Sequence, residues 1–252
     1  MRIVKADYEI MNPNLDDPQT AIDIYKLLEK IGRTCYVSGE QITENSAENF
    51  LRRIIKNGHE AMLEHAHLTV KFTIDRGISH ELVRHRLASF AQESTRYCNY
   101  HKEKFGDEIA VIEPCFFDDI PDDRKETILK ILEASGEDDA DEFKDFEPTD
   151  HERQYANWYM GCEEAETAYF MMLDLGSTPQ EARDVLPNSL KTDVVMTANI
   201  REWRHFFKLR AAGVTGKPHP QMLEVASKLP NECREKLPVL FDDILPMGEE
   251  KE

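Results

Sequence analysis

Arg84-His85-Arg86 sets three cationic or potentially cationic side chains in a row, and after seven residues comes Ser94-Thr95-Arg96-Tyr97. The sequence predicts that the triplet ends a helix and runs into a small, polar loop, Ala88 to Thr95. On a helix, residues two apart point about 200° from one another, so Arg84 and Arg86 would serve two ligands. Arg96 follows small neighbours that let backbone N–H groups approach an anion, and a planar guanidinium matches phosphate oxygens two at a time. This reads as a double anion site. The alternative is that the arginines complement a helix dipole and pair with Glu81 and Glu93 at the surface. Spacing alone does not choose between the two.

Trp203, Phe206, Phe207 and Arg210 fall at i, i+3, i+4 and i+7, which puts the Arg210 guanidinium on the apolar face of its helix. That placement costs desolvation unless an anion meets the cation; the alternative is an arginine snorkelling past the aromatics. Asn199 would cap that helix, and a salt bridge to Asp184 or Glu181 is the structural reading of Arg183. In Gly58-His59-Glu60-Ala61-Met62-Leu63-Glu64-His65 the histidines are six apart, about 600° on a helix, so no metal site is expected. Ser94 has no His-Asp partner marked in the sequence and is assigned to binding.

The elements that must position these residues follow from periodicity. Helices are expected over Gln19–Ile31 and Ser46–Asn57, so that two helices open the chain, with Gly58 as a stop. Leu68–Ile74 alternates like a half-buried strand, and Gly77–Leu87 reads as helical. A short strand is expected at Ile109–Glu113, an acidic helix at Asp122–Ala134, and a solvated insertion at Ser135–Asp150. His151–Leu175 reads as a buried central helix closed by Gly176. Thr178-Pro179-Gln180-Glu181 is a capping box opening a short helix that stops before Pro187. Leu190–Ala198 is strand-like; Ile200–Ala211, Met222–Leu229 and a stretch near Cys233–Leu245 are helical. The class is α+β, mixed helices with a central, mostly antiparallel sheet, in a single domain over 1–252 carrying an acidic insertion near 122–150.

Composition narrows the function. The 252 residues are 40% hydrophobic and 32% charged, enough for a full core. A net charge of −18 argues against a nucleic-acid binder. Much of the acid lies in Glu133–Asp150 and the Gly248–Glu252 tail, so arginines elsewhere can still make locally positive pockets. Cys35, Cys98, Cys115, Cys162 and Cys233 are scattered and never form a Cys-x-x-Cys pair, so they read as reduced thiols. No segment approaches about 18 uninterrupted apolar residues, and the expected location is the cytoplasm.

The triplet, the seven-residue gap, Ser94 and Arg96 resemble the signature of the flavin-dependent thymidylate synthases, and Leu87-Ala88-Ser89 is similar to the family as well. So are the Gly-His-Glu-x-x-x-Glu-His stretch at 58–65, the Asn-x-Arg start at Asn199 with its Leu-Arg end at Arg210, and Ala182-Arg183 before Leu186-Pro187. The chain departs where many members carry Asn-Glu and this one has Ala91-Gln92, so the carboxylate there is replaced by an amide or supplied by Glu93.

The resemblance implies the fold of that family and a methyltransferase activity, the reductive methylation of dUMP to dTMP. Methylenetetrahydrofolate would be the carbon donor, and FAD reduced by NADPH the hydride source. It implies cofactor contacts from His59, Ala61, Arg84, His85, Arg86, Gln92, Asn199, Arg201, His205 and His219. It implies nucleotide contacts from Glu81, Leu82, Val83, Arg84, Gln92, Glu93, Ser94, Thr95, Arg96 and Arg183, and a catalytic Arg210 stabilising the ionised uracil. It further implies a homotetramer whose active sites are shared between subunits. No cysteine nucleophile is required: Pro114-Cys115 is similar to that of the classical thymidylate synthase, but Phe116-Phe117 follows and the reading is rejected. A catalytically silent nucleotide-binding scaffold and another flavin oxidoreductase on the same fold are the alternative functions. A flavin spectrum, dUMP-stimulated NADPH oxidation and product analysis separate them.

Overall fold

The computed structural model describes residues 1–102, 106–133 and 145–248. In chain order the elements begin with β1 (Arg2–Val4), β2 (Asp7–Asn12), α1 (Pro18–Cys35), α2 (Ala47–Lys56), β3 (His67–Asp75), α3 (Arg76–Leu82) and β4 (Ala88–Gln92). They continue with β5 (Ala110–Ile112), α4 (Asp122–Glu133), α5 (Asp150–Asp174) and α6 (Pro179–Ala182). The last are β6 (Lys191–Asn199), α7 (Ile200–Arg210), α8 (Pro220–Lys236) and α9 (Pro238–Phe241). They fall into two compact units. One comprises Met1–Lys5, Asp75–Gly77 and Glu93–Thr192; the other comprises Ala6–Ile74, Ile78–Gln92 and the chain from Asp193 onward.

The second unit is built on a four-stranded sheet in the order β2-β3-β6-β4. β2 pairs antiparallel with β3, and β4 antiparallel with β6 from Ala88 opposite Ala198 to Gln92 opposite Val194. Between β3 and β6, Thr69 meets Thr197 and Thr73 meets Asp193, so numbers rise on one strand as they fall on the other. The sheet is therefore antiparallel throughout. β3 and β6 alternate buried and part-buried residues, and α7 lays Trp203, Phe206 and Phe207 against the buried face. Trp203 stacks near Phe72 at 6.3 Å and its indole N–H donates to the Leu68 carbonyl at 3.0 Å, so burial of a large ring leaves no orphaned donor. On α1, Asp17 caps the helix ahead of Pro18. Gly32 sits where an added Cβ would meet the Phe50 ring at 2.6 Å, so only glycine permits this approach to α2.

The first unit pairs β1 with β5 in parallel and packs a core of Tyr100, Ile109, Val111, Cys162, Tyr169 and Leu190. A second cluster holds Phe117, Ile120, Ile128 and Tyr155. A capping box at Thr149 and Glu152 starts α5, and Arg124 clamps the same glutamate at 2.6 and 2.7 Å, which holds its carboxyl down to about 2.

The α+β class and most elements agree with the sequence, and the differences have physical causes. β1 and β2 precede the two opening helices; both are short, and β2 is an edge strand whose alternation is diluted by Asp7, Glu9 and Asn12. The expected 77–87 helix stops at Leu82, because β4 must begin at Ala88 to pair with Ala198. The first five residues of the polar loop expected over Ala88–Thr95 are that strand. Small residues gave it no apolar period to read. α5 is amphipathic, burying Tyr155, Tyr159, Cys162 and Tyr169 on one face while Met160 and Met171 are exposed. The helix expected over Met222–Leu229 runs on through Pro230 to Lys236, taking in the start of the stretch expected near Cys233–Leu245; that stretch then breaks at Leu237 and is helical again only over Pro238–Phe241. Pro230 costs about 3 kcal/mol in a helix interior, and buried Leu229 and Cys233 offset it. Residues 134–144, which include part of the acidic insertion expected near 122–150, and 249–252 of the tail lie outside the described residues.

Candidate functional site

The turn between α3 and β4 carries the arginine triplet, and it faces the start and one side of α7 across a cleft of about 750 Å³. The strand-to-helix switch that positions α7 is local: the Asn199 side chain accepts from the Glu202 amide at 2.8 Å, and the Ile200 amide donates to the Ala66 carbonyl at 2.9 Å. The cleft is lined by Arg84, His85, Arg86 and Leu87 from the turn. Asn199, Arg201, Glu202, His205, Lys208, Leu209 and Arg210 come from the helix, and Glu60 and Glu64 from the 61–65 turn and its edge. Five cations face three carboxylates there, in a chain of net charge −18.

The triplet is not helical. Arg84 and His85 close the end of α3 through amide bonds to Glu81 and Leu82, three residues back, so the angular argument separating Arg84 from Arg86 lapses and both line one cleft. Neither guanidinium makes an ion pair among the described residues. Arg210, by contrast, is gripped. Its Nη1 reaches Glu81 at 2.9 Å and its Nε donates to His85 Nε2 at 3.2 Å, while its Nη2 has no hydrogen bond among the described residues. The sequence expectation of an anion beside this cation is met within the protein by Glu81. His85 is 5% exposed, packs edge-on against Phe206 at 4.9 Å, and lies 3.3 Å from Glu202 through Nδ1. Burial, with Arg210 and His205 nearby, pushes its imidazole down to about 4. Burial also raises the Glu202 carboxyl, opposed by His205.

Of the residues singled out in the sequence, the cleft unites Arg84, His85, Arg86, Asn199, Arg201, His205 and Arg210. Others lie outside its lining. His59 is exposed and its Nδ1 bonds the Tyr36 hydroxyl at 2.8 Å; Ala61 is exposed, and Glu60 between them faces the cleft. Leu82 is buried and Val83 exposed, and the Gln92 amide donates to Ser79 at 2.9 Å. His219 is exposed just before α8.

The first unit gathers a second set. Glu93 accepts from the Tyr100 hydroxyl at 3.0 Å and pairs with Lys191 at 3.1 Å. Ser94 opens a turn in which its hydroxyl accepts from the Arg96 amide at 3.3 Å; Thr95 is buried. Exposed Arg96 donates through Nε to Gln180 at 3.1 Å, and Gln180 stands one turn before exposed Arg183. Glu181 caps Thr178 at 2.6 Å, and Arg183 forms no ion pair among the described residues, so its expected alternative partners are not engaged.

Sequence reasoning missed Glu60, Glu64, Glu202, Lys208 and Leu209 as lining. It also missed Arg204, which is 1% exposed and bridges Glu60 at 3.1 Å, Asp243 at 2.7 Å and the Leu240 carbonyl. Glu202 had a signal, an acid three residues after the Asn199 cap; the rest depend on partners distant in sequence.

Comparison with known proteins decides the family. The family described as "Thymidylate synthase complementing protein" matches residues 20–239. The flavin-dependent thymidylate synthase of Corynebacterium aurimucosum is 36% identical over 220 residues, 86% of this chain and 78% of that protein. The enzyme of the same name from Pyrococcus furiosus is 32% identical over 91% of this chain and 78% of its own length. The chain belongs to the flavin-dependent thymidylate synthase family. Among solved structures, a UMP/dUMP methylase PolB from Streptomyces cacaoi bound with 5-Br dUMP superposes with a TM-score of 0.66. That match covers 96% of each chain at 21% identity, a likeness of fold. The α+β architecture expected from the sequence is thus the family's. Among the described residues no helix is long and apolar enough to cross a membrane.

Proposed function

We propose that this protein is a methyltransferase that converts dUMP to dTMP, taking the methylene of methylenetetrahydrofolate and using FAD as its redox cofactor with NADPH as reductant. The observation that carries the site assignment is the contrast within the cleft: Arg84 and Arg86 have no anionic partner among the described residues, and Arg210 is held in place with one terminal nitrogen unbonded. Free guanidinium forks on a turn fit the pyrophosphate of a dinucleotide, and the cleft volume suits a cofactor of this size. FAD would supply hydride chemistry that side chains lack.

The chain's own groups bind and orient. Arg84, His85, Arg86, Asn199, Arg201 and His205 are assigned to the flavin, with His59, Ala61, Gln92 and His219 as further contacts. Glu81, Leu82, Val83, Arg84, Gln92, Glu93, Ser94, Thr95, Arg96 and Arg183 are assigned to dUMP; exposed Arg96 and Arg183 suit its phosphate. Arg210 is assigned as the catalytic residue: a guanidinium 23% exposed, with one terminal nitrogen unbonded among the described residues, suits stabilising negative charge that develops on the uracil. The two units are read as one catalytic domain, since the family match runs through both. We further assign a homotetramer with shared active sites, in the cytoplasm.

Arg210→Ala is expected to nearly abolish dTMP formation, measured by product analysis with and without methylenetetrahydrofolate, while the purified protein keeps its flavin spectrum. Unchanged turnover in that variant overturns the assignment.

A further inference from the structure

We propose that Glu202 is a positioning residue that fixes the His85 ring as its Nδ1–H tautomer, so that Nε2 is left to accept from Arg210 and aim its guanidinium. An arginine Nε–H can only donate, and it points at His85 Nε2 at 3.2 Å, so that nitrogen must present its lone pair. The imidazole must then be neutral with its proton on Nδ1, and Nδ1 needs an acceptor. Glu202 Oε1 stands there at 3.3 Å. The ring has nowhere else to turn: Phe206 packs against it at 4.9 Å and His205 lies 6.2 Å away. His85 is at 4% and Glu202 at 6% side-chain exposure, so no solvent molecule substitutes cheaply for the bond between them. The opposite tautomer would set an N–H against an N–H at Arg210 and leave a buried carboxylate facing a lone pair.

Glu202 is itself held. Its amide is capped by Asn199 at 2.8 Å, so the first turn of α7 sets the carboxylate beneath the ring. Arg210 is then fixed from two sides, by Glu81 on Nη1 and by His85 on Nε. Glu81 is 34% exposed and can exchange for a ligand oxygen, whereas the His85 ring, 4% exposed and packed on Phe206, stays in place. Orientation of the cation therefore rests on the relay, and its value to the reaction rests on the proposed role of Arg210.

The test uses flavin-loaded protein labelled with 15N-histidine and read by magic-angle-spinning NMR, with His85 identified by its loss in His85→Gln. The wild type is expected to show a protonated Nδ1 and a bare Nε2. Glu202→Gln keeps a carbonyl oxygen and should retain that tautomer; Glu202→Leu removes the acceptor and should move the proton to Nε2. In turnover, Glu202→Leu should lower kcat about ten- to hundredfold, the range for losing a bond that orients a site group, with the KM for NADPH unchanged and Glu202→Gln restoring most of the rate. A wild-type His85 protonated on Nε2, or full kcat in Glu202→Leu despite an altered tautomer, overturns the relay. The wild-type and Glu202→Gln spectra decide the matter even where Glu202→Leu does not fold. An active Arg210→Ala would instead overturn the catalytic reading and leave the tautomer assignment standing.

Discussion

Two sets of arginines, at and beside the same cleft, are held in opposite ways. Arg84 and Arg86 sit on the turn after α3, exposed and without ion pairs among the described residues. Arg204 and Arg210 lie on α7, bound by carboxylates, a histidine and a carbonyl. The sequence marks Arg84, Arg86 and Arg210 as site cations and gives no sign of Arg204, and burial divides the four. A guanidinium that has lost water must be satisfied by the protein and so becomes part of its architecture; one that keeps water can trade it for a ligand. Arg210 stands between, with its Nε committed and a terminal nitrogen unbonded.

The sharpest way to break this division is Arg204→Met. Removing the cation leaves Glu60 facing the cleft, Asp243 beside it and the Leu240 carbonyl without their shared donor. Loss of one partner from a buried pair costs about 3–5 kcal/mol, and the lower end applies because Asp243 retains 40% exposure. Urea unfolding should therefore show a drop of about 3 kcal/mol. A drop below about 1 kcal/mol would place Arg204 with the surface arginines and end the distinction.

Next in size is the pH response of His85. Its folded-state value is pushed to about 4 by burial, then by Arg210 and His205, against an ordinary 6.5. The unfolded chain takes up this proton first as pH falls, so stability is intact above about 6.5, falls between 6.5 and 4, and levels below 4. At 1.36 kcal/mol per unit over about 2.5 units the loss is roughly 3 kcal/mol. Glu202, raised by burial, acts in the opposite sense in its own range, so the quantity to measure is the difference between wild type and His85→Gln across that window. A flat difference would show that the His85 ring is not closed off as described.

What the sequence disclosed and what it hid follow the same line. Arg84, His85, Arg86, Asn199, Arg201 and Arg210 were legible because their spacing along the chain is itself the signal, and the alternation of β3 and β6 and the caps of α6 and α7 are equally local. Glu202 beneath His85 and Glu60 beneath Arg204 join residues 117 and 144 positions apart, which no local period encodes. β4 was hidden for a related reason. Ala88-Ser89-Phe90-Ala91-Gln92 carries little apolar alternation, and its strand character comes from β6, about a hundred residues on. The expectation that Arg84 and Arg86 point apart failed with the helix on which it stood.

The smallest effect on the fold should come from the residues the proposed chemistry needs most. Arg84→Ala and Arg86→Ala remove side chains that pair with nothing in the described structure, so each should change unfolding stability by less than about 0.5 kcal/mol. Each also deletes a charge-assisted donor to the proposed flavin, a bond of about 1.5–3 kcal/mol, so FAD affinity should fall about ten- to a hundredfold. Titrating apoprotein with FAD by fluorescence quenching, beside urea unfolding without cofactor, gives both numbers. Unaltered FAD affinity in both variants, with stability unchanged, would show that the exposed pair serves no cofactor and would move the anion-binding role to Arg201 and Lys208 on α7, whose present partners Glu64 and Glu60 are surface or cleft carboxylates that a ligand phosphate can displace.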